Sequence, residues 1–456
     1  MHYLYDGLKE KNLGGLGKVL SVVFALMCIG GSLGGGNMYQ SNQAFAQLST
    51  VVPFFAPKAE GEVVFSLDRK KLQSDVMGTQ AKKAAVSELI IPASTQVRAE
   101  VQGKTINFIT LTDTVIPDSG TESAAVTVKA ITSSSSGNVE AQTISSIGVF
   151  AYGALEAEKE KVTPNLKTAL YQGALTVSNP SAMSGGSEPK SWIFGIGIAI
   201  LVGIVILGGI KSIGKVAGLI VPVMCAMYVM ASLYVLITHA SEVPKAFGTM
   251  FSYAFGAEAA YGGLIGSLIQ GFRRAAFSNE AGVGSASIAH SAAATNEPVR
   301  EGVVALLEPF IDTIIICTMT GLVVVITGVY DHPDLQGVEL TSLAFGSVLS
   351  WFPILLAVAV FFFAFSTMIS WSYYGERCAT FLFGPKASLP YKILFLVCVV
   401  FGAVIKLGNV LDFSDLMVLG MAFPNILGLF ILSSKVRERL DDYWGRLKSG
   451  EMQPTK

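Results

Sequence analysis

The sequence predicts an all-α polytopic membrane protein carrying one β-rich extramembrane insert. Three observations predict it. Hydrophobic residues make up 51% of the 456 residues and charged residues only 14%, against about 25% charged in soluble domains. Apolar runs recur that are long enough to cross roughly 30 Å of hydrocarbon. Between about Val51 and Lys190 that apolar character stops, and polar residues surround short stretches rich in Val, Ile and Thr. The net charge of −1 provides no electrostatic footprint for a nucleic-acid partner.

Four regions follow: residues 1–50 with a first span, an insert over 51–190, a transmembrane region over 191–434, and a basic tail over 435–456. Eight spans are predicted, at Leu16–Phe45, Trp192–Ile210, Val216–Thr238, Phe247–Ala276 with a continuation to Ala294, Val303–Val329, Leu343–Ser372, Ile393–Leu407 and Leu416–Leu432. In the insert, Ala99–Ile109 and Ala124–Ile131 alternate as strands do. The run at 133–138 is a Ser-rich turn, and Ser178–Lys190 is a Pro- and Gly-containing linker. No catalytic constellation is visible in the insert, which reads as a docking or structural module.

Basic residues in short loops set the orientation. Lys211 and Lys215, then Arg273, Arg274 and Arg300, then Arg377, Lys386 and Lys392, and finally the tail fall on one side; acidic loops holding Asp331, Asp334 and Glu339, or Asp412 and Asp415, fall on the other. Both termini are therefore expected in the cytoplasm, with the insert outside an inner, cytoplasmic membrane. The five cysteines show no metal-ligand spacing and read as small buried apolar residues.

The run from Phe277 to Ser285 interrupts the hydrophobic pattern with an acid, an amide, two hydroxyls and two glycines. Irregular backbone at membrane depth is tolerated only where protein packs it or it lines a cavity. Broken helices near the midplane are the usual binding device of secondary transporters, although Ser278-Asn279-Glu280 also suits a cap on a following half-helix. Ser366, Thr367 and Ser370 stand at i, i+1 and i+4 on an apolar helix. Such oxygens suit a hard cation, and such hydroxyls also bond back to their own helix. Gln40 and Asn42 are amides that serve either a zwitterion or interhelical packing. Gly30, Gly31, Gly34, Gly35 and Gly36 beside them favour close helix contact. His290 reads as a structural hydrogen-bonder, while Glu308 and Asp312 face either the broken helix or a water-filled path.

These residues carry a resemblance. Arg274–Ala294 (RAAFSNEAGVGSASIAHSAAA), Gly36–Asn42 (GNMYQSN) and Phe363–Arg377 (FAFSTMISWSYYGER) are similar to signatures of the alanine or glycine:cation symporter family. The resemblance covers Met1 to about Gln47 and Trp192 onward, and leaves out the insert. It implies a LeuT-type inverted-repeat core of the APC superfamily. The start at Met1-His2-Tyr3-Leu4 falls inside a loop that follows the first core helices, so the expectation is a core lacking those helices, with these spans matching core helices three to ten. It implies a secondary active symporter that imports alanine or glycine with a cation, Na⁺ rather than H⁺, and no covalent chemistry or cofactor. Phe277 would cover the substrate, Ser278, Asn279 and Gly282 would line the break, and Gln40, Asn42 and Thr367 would complete the substrate site. Ser366, Thr367 and Ser370 would hold the ion, with no metal beyond Na⁺. Glu280 would organise the break or couple its charge to the ion. The alternative is a non-transporting scaffold or inactive fragment that displays the insert.

Overall fold

The computed structural model describes residues 1–52, 54–55, 60–67, 89–91, 96–101, 104–111, 114–116, 123–130, 144–147, 175–178, 190–255, 263–331, 337–349, 351–405 and 407–452. These fall into two compact units, Met1–Gln47 with Trp192–Ile326 and Ile354–Lys456, and Leu48–Ser191 with Thr327–Pro353.

The first unit is helical. Helices α1 (His2–Glu10) and α2 (Gly14–Leu33) lead into a π-helical turn (Gly34–Met38) and α3 (Tyr39–Val51). After the insert come α4 (Ser191–Leu207), α5 (Gly209–Thr238), α6 (Val243–Phe255), α7 (Gly263–Ser278) and the short α8 (Ala286–His290). A further apolar stretch comprises α9 (Pro298–Ala305), a π-helical segment (Phe310–Cys317) and α10 (Thr318–Ile326). The second unit supplies α11 (Val338–Gly346), and α12 (Phe352–Phe383), α13 (Ser388–Val404) and α14 (Leu407–Lys448) complete the chain. Six helices among the described residues are long and apolar enough to cross a membrane, and α4 is a shorter apolar helix.

Two predicted spans and one predicted region boundary differ from the helices observed. Phe247–Ala276 is not one described helix: α6 ends at Phe255 and α7 begins at Gly263. Leu343–Ser372 divides, because α11 stops at Gly346 and α12 starts afresh at Phe352. Pro353 suits that restart, since in the first turn of a helix the missing proline N–H has no intrahelical partner to lose. The tail at 435–456 is not a separate region at its start, because α14 runs for 42 residues without interruption.

Small residues bring the helices together. In lipid no hydrophobic drive pairs helices, so close backbone approach and van der Waals packing must do it. A Cβ on Gly36 would lie 2.3 Å from the Trp371 side chain, and one on Gly30 would lie 2.5 Å from Met417 Sδ. Along the antiparallel α2–α14 contact, Met27 fits against Gly420; further down, Leu4 of α1 fits against Gly428. Helix α13 meets the π turn backbone to backbone: a Cβ on Gly402 would sit 2.5 Å from the Met38 backbone. Polar contacts tie the ends. Lys435 pairs with Glu10, and the Arg446 guanidinium donates to both oxygens of Glu297 at 2.8 and 3.0 Å.

The second unit holds a six-stranded sheet in the order β7-β3-β4-β6-β1-β8. Its strands are β1 (Glu60–Leu67), β3 (Gln96–Val101), β4 (Lys104–Thr110), β6 (Ser123–Ala130), β7 (Ile144–Ile147) and β8 (Leu175–Ser178); β2 (Leu89–Ile91) pairs with β5 (Thr114–Ile116) apart from it. Every described pairing is antiparallel, with Val63 opposite Val126 and Val97 opposite Phe108. Alternate residues Val63, Phe65 and Leu67 are buried, as one face of a strand requires. The predicted strand over Ala99–Ile109 is two antiparallel strands, reversing between Val101 and Lys104. The turn at 133–138 and most of the linker at 178–190 lie outside the described residues.

Two expected outcomes follow from this packing. Gly402→Ala drives a methyl into backbone that cannot step aside and should destabilise by about 1–3 kcal/mol, whereas Gly214→Ala, with nothing within 4 Å, should be neutral or stabilising; melting in detergent compares them. The Arg446 guanidinium holds the Glu297 carboxyl below its usual range. A lowered folded-state pKa adds stability above the ordinary carboxylate range, and that stability is lost as pH falls through the folded value. Arg446→Gln should therefore melt earlier than the parent at neutral pH, with the difference vanishing in acid.

Candidate functional site

Helix α7 ends at Ser278 and α8 begins at Ala286, so the interruption predicted from sequence is present. Three residues within it take left-handed backbone: Glu280 (φ 55°), Gly282 (φ 79°) and Gly284 (φ 102°). Glycine adopts this region freely, but a glutamate there is uncommon. Its side chain accounts for the position. Glu280 Oε1 accepts the Trp371 indole N–H at 2.8 Å, and Oε2 accepts the Ser285 hydroxyl. No basic side chain among the described residues pairs with it. Glu280 thus fastens the break to α12 and to the start of α8.

Other contacts hold the remaining backbone. Asn425 Nδ2 donates to the Gly282 carbonyl at 2.8 Å, and its Oδ1 accepts the Tyr3 hydroxyl. A Cβ on Gly284 would lie 2.6 Å from Phe24, so only glycine lets α2 approach here. Asn279 Oδ1 accepts the Ala281 N–H at 2.9 Å, while its amide donates to Thr313 Oγ1 at 2.7 Å. Ser278 Oγ donates to Asp312 Oδ2 at 2.7 Å. The π-helical segment at 310–317 is therefore the partner of the break, and Asp312 faces it. His290 bonds Glu301 through Nδ1 at 2.6 Å, with Glu308 at 3.8 Å from Nε2.

Phe277 lies edge-on to Tyr39, with ring centroids 5.0 Å apart, and its ring is 2.9 Å from the position of a Cβ on Gly35. Gln40 Nε2 donates to the Gly35 carbonyl at 3.0 Å, one of the groups disturbed by the π turn. Asn42 uses its amide on two carbonyls, Gly402 of α13 at 3.2 Å and Ile405 just after it at 2.7 Å. Asn42 thus ties α3 to this part of the chain. The predicted hydroxyl group also divides. Ser366 donates to its own helix at Phe363 and faces Met224 of α5. Thr367 stands one turn before Trp371, on the face that meets Glu280. Thr367 and Ser370 carry no hydrogen bond among the described residues, which leaves their oxygens open.

Sequence reasoning missed Trp371, Asn425 and Tyr3. Asn425 had a signal, an amide in an apolar helix, the same signal that marked Gln40. Trp371 had none beyond its place in the motif, because an aromatic in an apolar helix is ordinary. Sequence reasoning also placed Asp415 on the opposite side of the membrane from Arg273 and Arg274. Arg273 and Arg274 both bond its Oδ2, so the three lie at one depth. They cannot be divided between opposite faces, and neither arginine counts toward orientation.

Residues 166–456 match the model of the sodium:alanine symporter family. The chain belongs to that family. Residues 76–186 match the Baseplate J-like protein barrel domain. Curated relatives include the sodium/alanine symporter AgcS of Methanococcus maripaludis, 42% identical over 265 residues, covering 57% of this chain and 58% of the relative. A probable sodium/glutamine symporter, GlnT of Bacillus subtilis, is 36% identical over 51% of this chain and 49% of the relative. The amino-acid carrier protein AlsT of Bacillus subtilis is 34% identical over 62% and 61%. The chain thus spans about half the length of the curated relatives it matches.

Asn425→Ala should leave the Gly282 carbonyl and the Tyr3 hydroxyl without partners and cost about 1–3 kcal/mol. Ser433→Ala, which removes only an exposed bond to its own helix, should change stability by no more than about 0.5 kcal/mol. Paired melting curves in one detergent decide this.

Proposed function

We propose that this chain serves cation-coupled import of a small neutral amino acid, alanine or glycine, with Na⁺ as the coupling ion. The observation that carries it is the left-handed break at 280–284 held by the Trp371–Glu280 bond, in a chain of the sodium:alanine symporter family. The backbone groups freed by the break suit a zwitterion: N–H groups at a half-helix start face a carboxylate, and carbonyls at a half-helix end face an ammonium group or Na⁺. Phe277 covers the substrate, Ser278, Asn279 and Gly282 line it, and Gln40 and Thr367 adjoin it. Thr367 and Ser370 offer open oxygens to the ion, with Ser366 behind them. Substrate and ion stabilise an occluded form, and the site opens inward as part of a LeuT-type core rocks. A cavity of about 940 Å³ lies beside α8, lined among others by Met1, Tyr3, Ser287, Ser291, Glu376 and Thr380, and none of the proposed substrate or ion residues lines it.

The orientation with both termini in the cytoplasm of an inner membrane rests on Lys211, Lys215, Arg377, Lys386, Lys392 and the basic end of α14, without Arg273 and Arg274. Glu280 is read as an organiser, because both of its oxygens already accept hydrogen bonds.

A second reading has one observation in its favour. The insert has its own sheet and core and matches a barrel module, so the helices would serve as a scaffold that displays it.

Uptake of labelled alanine and glycine into proteoliposomes, with and without an inward Na⁺ gradient, separates the readings. Gradient-driven accumulation is expected, and its absence in well-folded protein favours the scaffold. Thr367→Ala should raise the Na⁺ concentration for half-maximal uptake about tenfold or more, a loss of about 1.4 kcal/mol in ion binding, while Ser372→Ala, whose hydroxyl already bonds Ile369, should not. Glu280→Gln should retain cation-dependent uptake; loss of all coupling in a folded variant would overturn the organiser role.

A further inference from the structure

The charges between α7 and α14 do not balance. Arg273 and Arg274 both direct guanidinium nitrogens at one oxygen, Asp415 Oδ2. The Asp415 side chain is 5% exposed, so this carboxylate is enclosed and committed to the pair. Two guanidinium groups on one carboxylate leave one positive charge uncompensated among the described residues. Asp412, one turn away on α14, is exposed and makes no ion pair among them. The nitrogen Arg274 Nε is buried and has no hydrogen-bond partner. Burying a guanidinium donor without an acceptor is costly, and an uncompensated positive charge attracts a counter-ion.

The surroundings suit a small anion. The Arg274 guanidinium stands 5.6 Å from the centroid of the Phe277 ring, and Phe277 in turn lies against Tyr39. Tyr39 is within electrostatic reach of both Arg274 and Asp415. The Tyr39 phenol makes no hydrogen bond among the described residues, so its O–H is a free donor. The arginines are 31% and 40% exposed as side chains, which leaves a way in. A planar guanidinium presents parallel N–H groups that match a carboxylate in a fork.

We propose that Arg273, Arg274 and Tyr39 form a binding site for a small monovalent anion, above the Phe277 ring and separate from the break. Its chemistry fits either a carboxylate or inorganic chloride. The carboxylate case rests on the transport reading, in which the anion is the head of an incoming amino acid that pauses before Phe277. The chloride case stands without that reading.

Anion binding can be measured without transport. The purified chain in neutral detergent is melted in increasing sodium acetate or sodium chloride, with sodium methanesulfonate holding Na⁺ and ionic strength constant. A saturable rise in melting temperature with acetate, chloride or both supports the site, and the anion that acts identifies the source. Arg274→Gln should raise the half-maximal concentration at least tenfold. Should that variant fail to fold, Arg274→Lys, which keeps the charge and loses the fork, should weaken acetate more than chloride. Asp415→Asn removes the competing carboxylate and should tighten the anion. No response in the parent, or an equal response in parent and Arg274 variants, overturns the site. Either result leaves the uptake experiment unaffected.

Discussion

The helical unit depends on how closely the backbone of Gly34, Gly35 and Gly36 approaches the rings of Phe413, Phe277 and Trp371. A methyl at any of the three positions would lie within 3 Å of one of those side chains. Such separations are below ordinary carbon contact distances, so the rings could not stay where they are. Trp371 must occupy its place for the indole to reach Glu280. Phe277 must occupy its place to meet Tyr39 edge-on. The glycines therefore act on the broken helix from a different part of the chain.

Much of this was legible in sequence because its causes are local. Apolar run length marked most of the membrane-crossing helices. The polar, Gly-containing run at 277–285 marked the break, because no lipid-facing segment tolerates such residues. What was not legible depends on pairing between distant segments. Asp415 was read as a loop acid because its neighbours include Asp412 and Ser414, and nothing nearby in sequence reveals two arginines about 140 positions earlier. Asn42 was ambiguous for the same reason. Its bonds go to carbonyls at Gly402 and Ile405, and only a folded chain places them. The restart at Phe352 was missed because an apolar tally does not see one helix ending and another beginning within a continuous hydrophobic stretch.

The contacts of the break also separate its holding groups from its open ones. Glu280, Asn279, Asn425 and Asn42 have their polar atoms engaged with neighbouring helices. Thr367 and Ser370 do not. A polar atom that is already satisfied stabilises the architecture and has little left for a ligand. An open oxygen one turn from Trp371 is the reverse case.

The π turn at 34–38 has a consequence for the history of this helix. Tyr39 N–H reaches back to the Gly34 carbonyl, one residue further than in an α-helix. Such a turn holds one residue in excess of the regular ladder while the helices on either side stay in phase. The segment therefore carries slack. Deleting one glycine would heal the ladder, with Phe24 still against Gly284 and Asn42 still on α13. What would vanish is the loosened Gly35 carbonyl that Gln40 now holds. Insertions and deletions are usually ruinous inside a buried helix, and here the ladder itself could absorb the loss of a residue, so that the cost would fall on the glycine contacts with Phe413, Phe277 and Trp371.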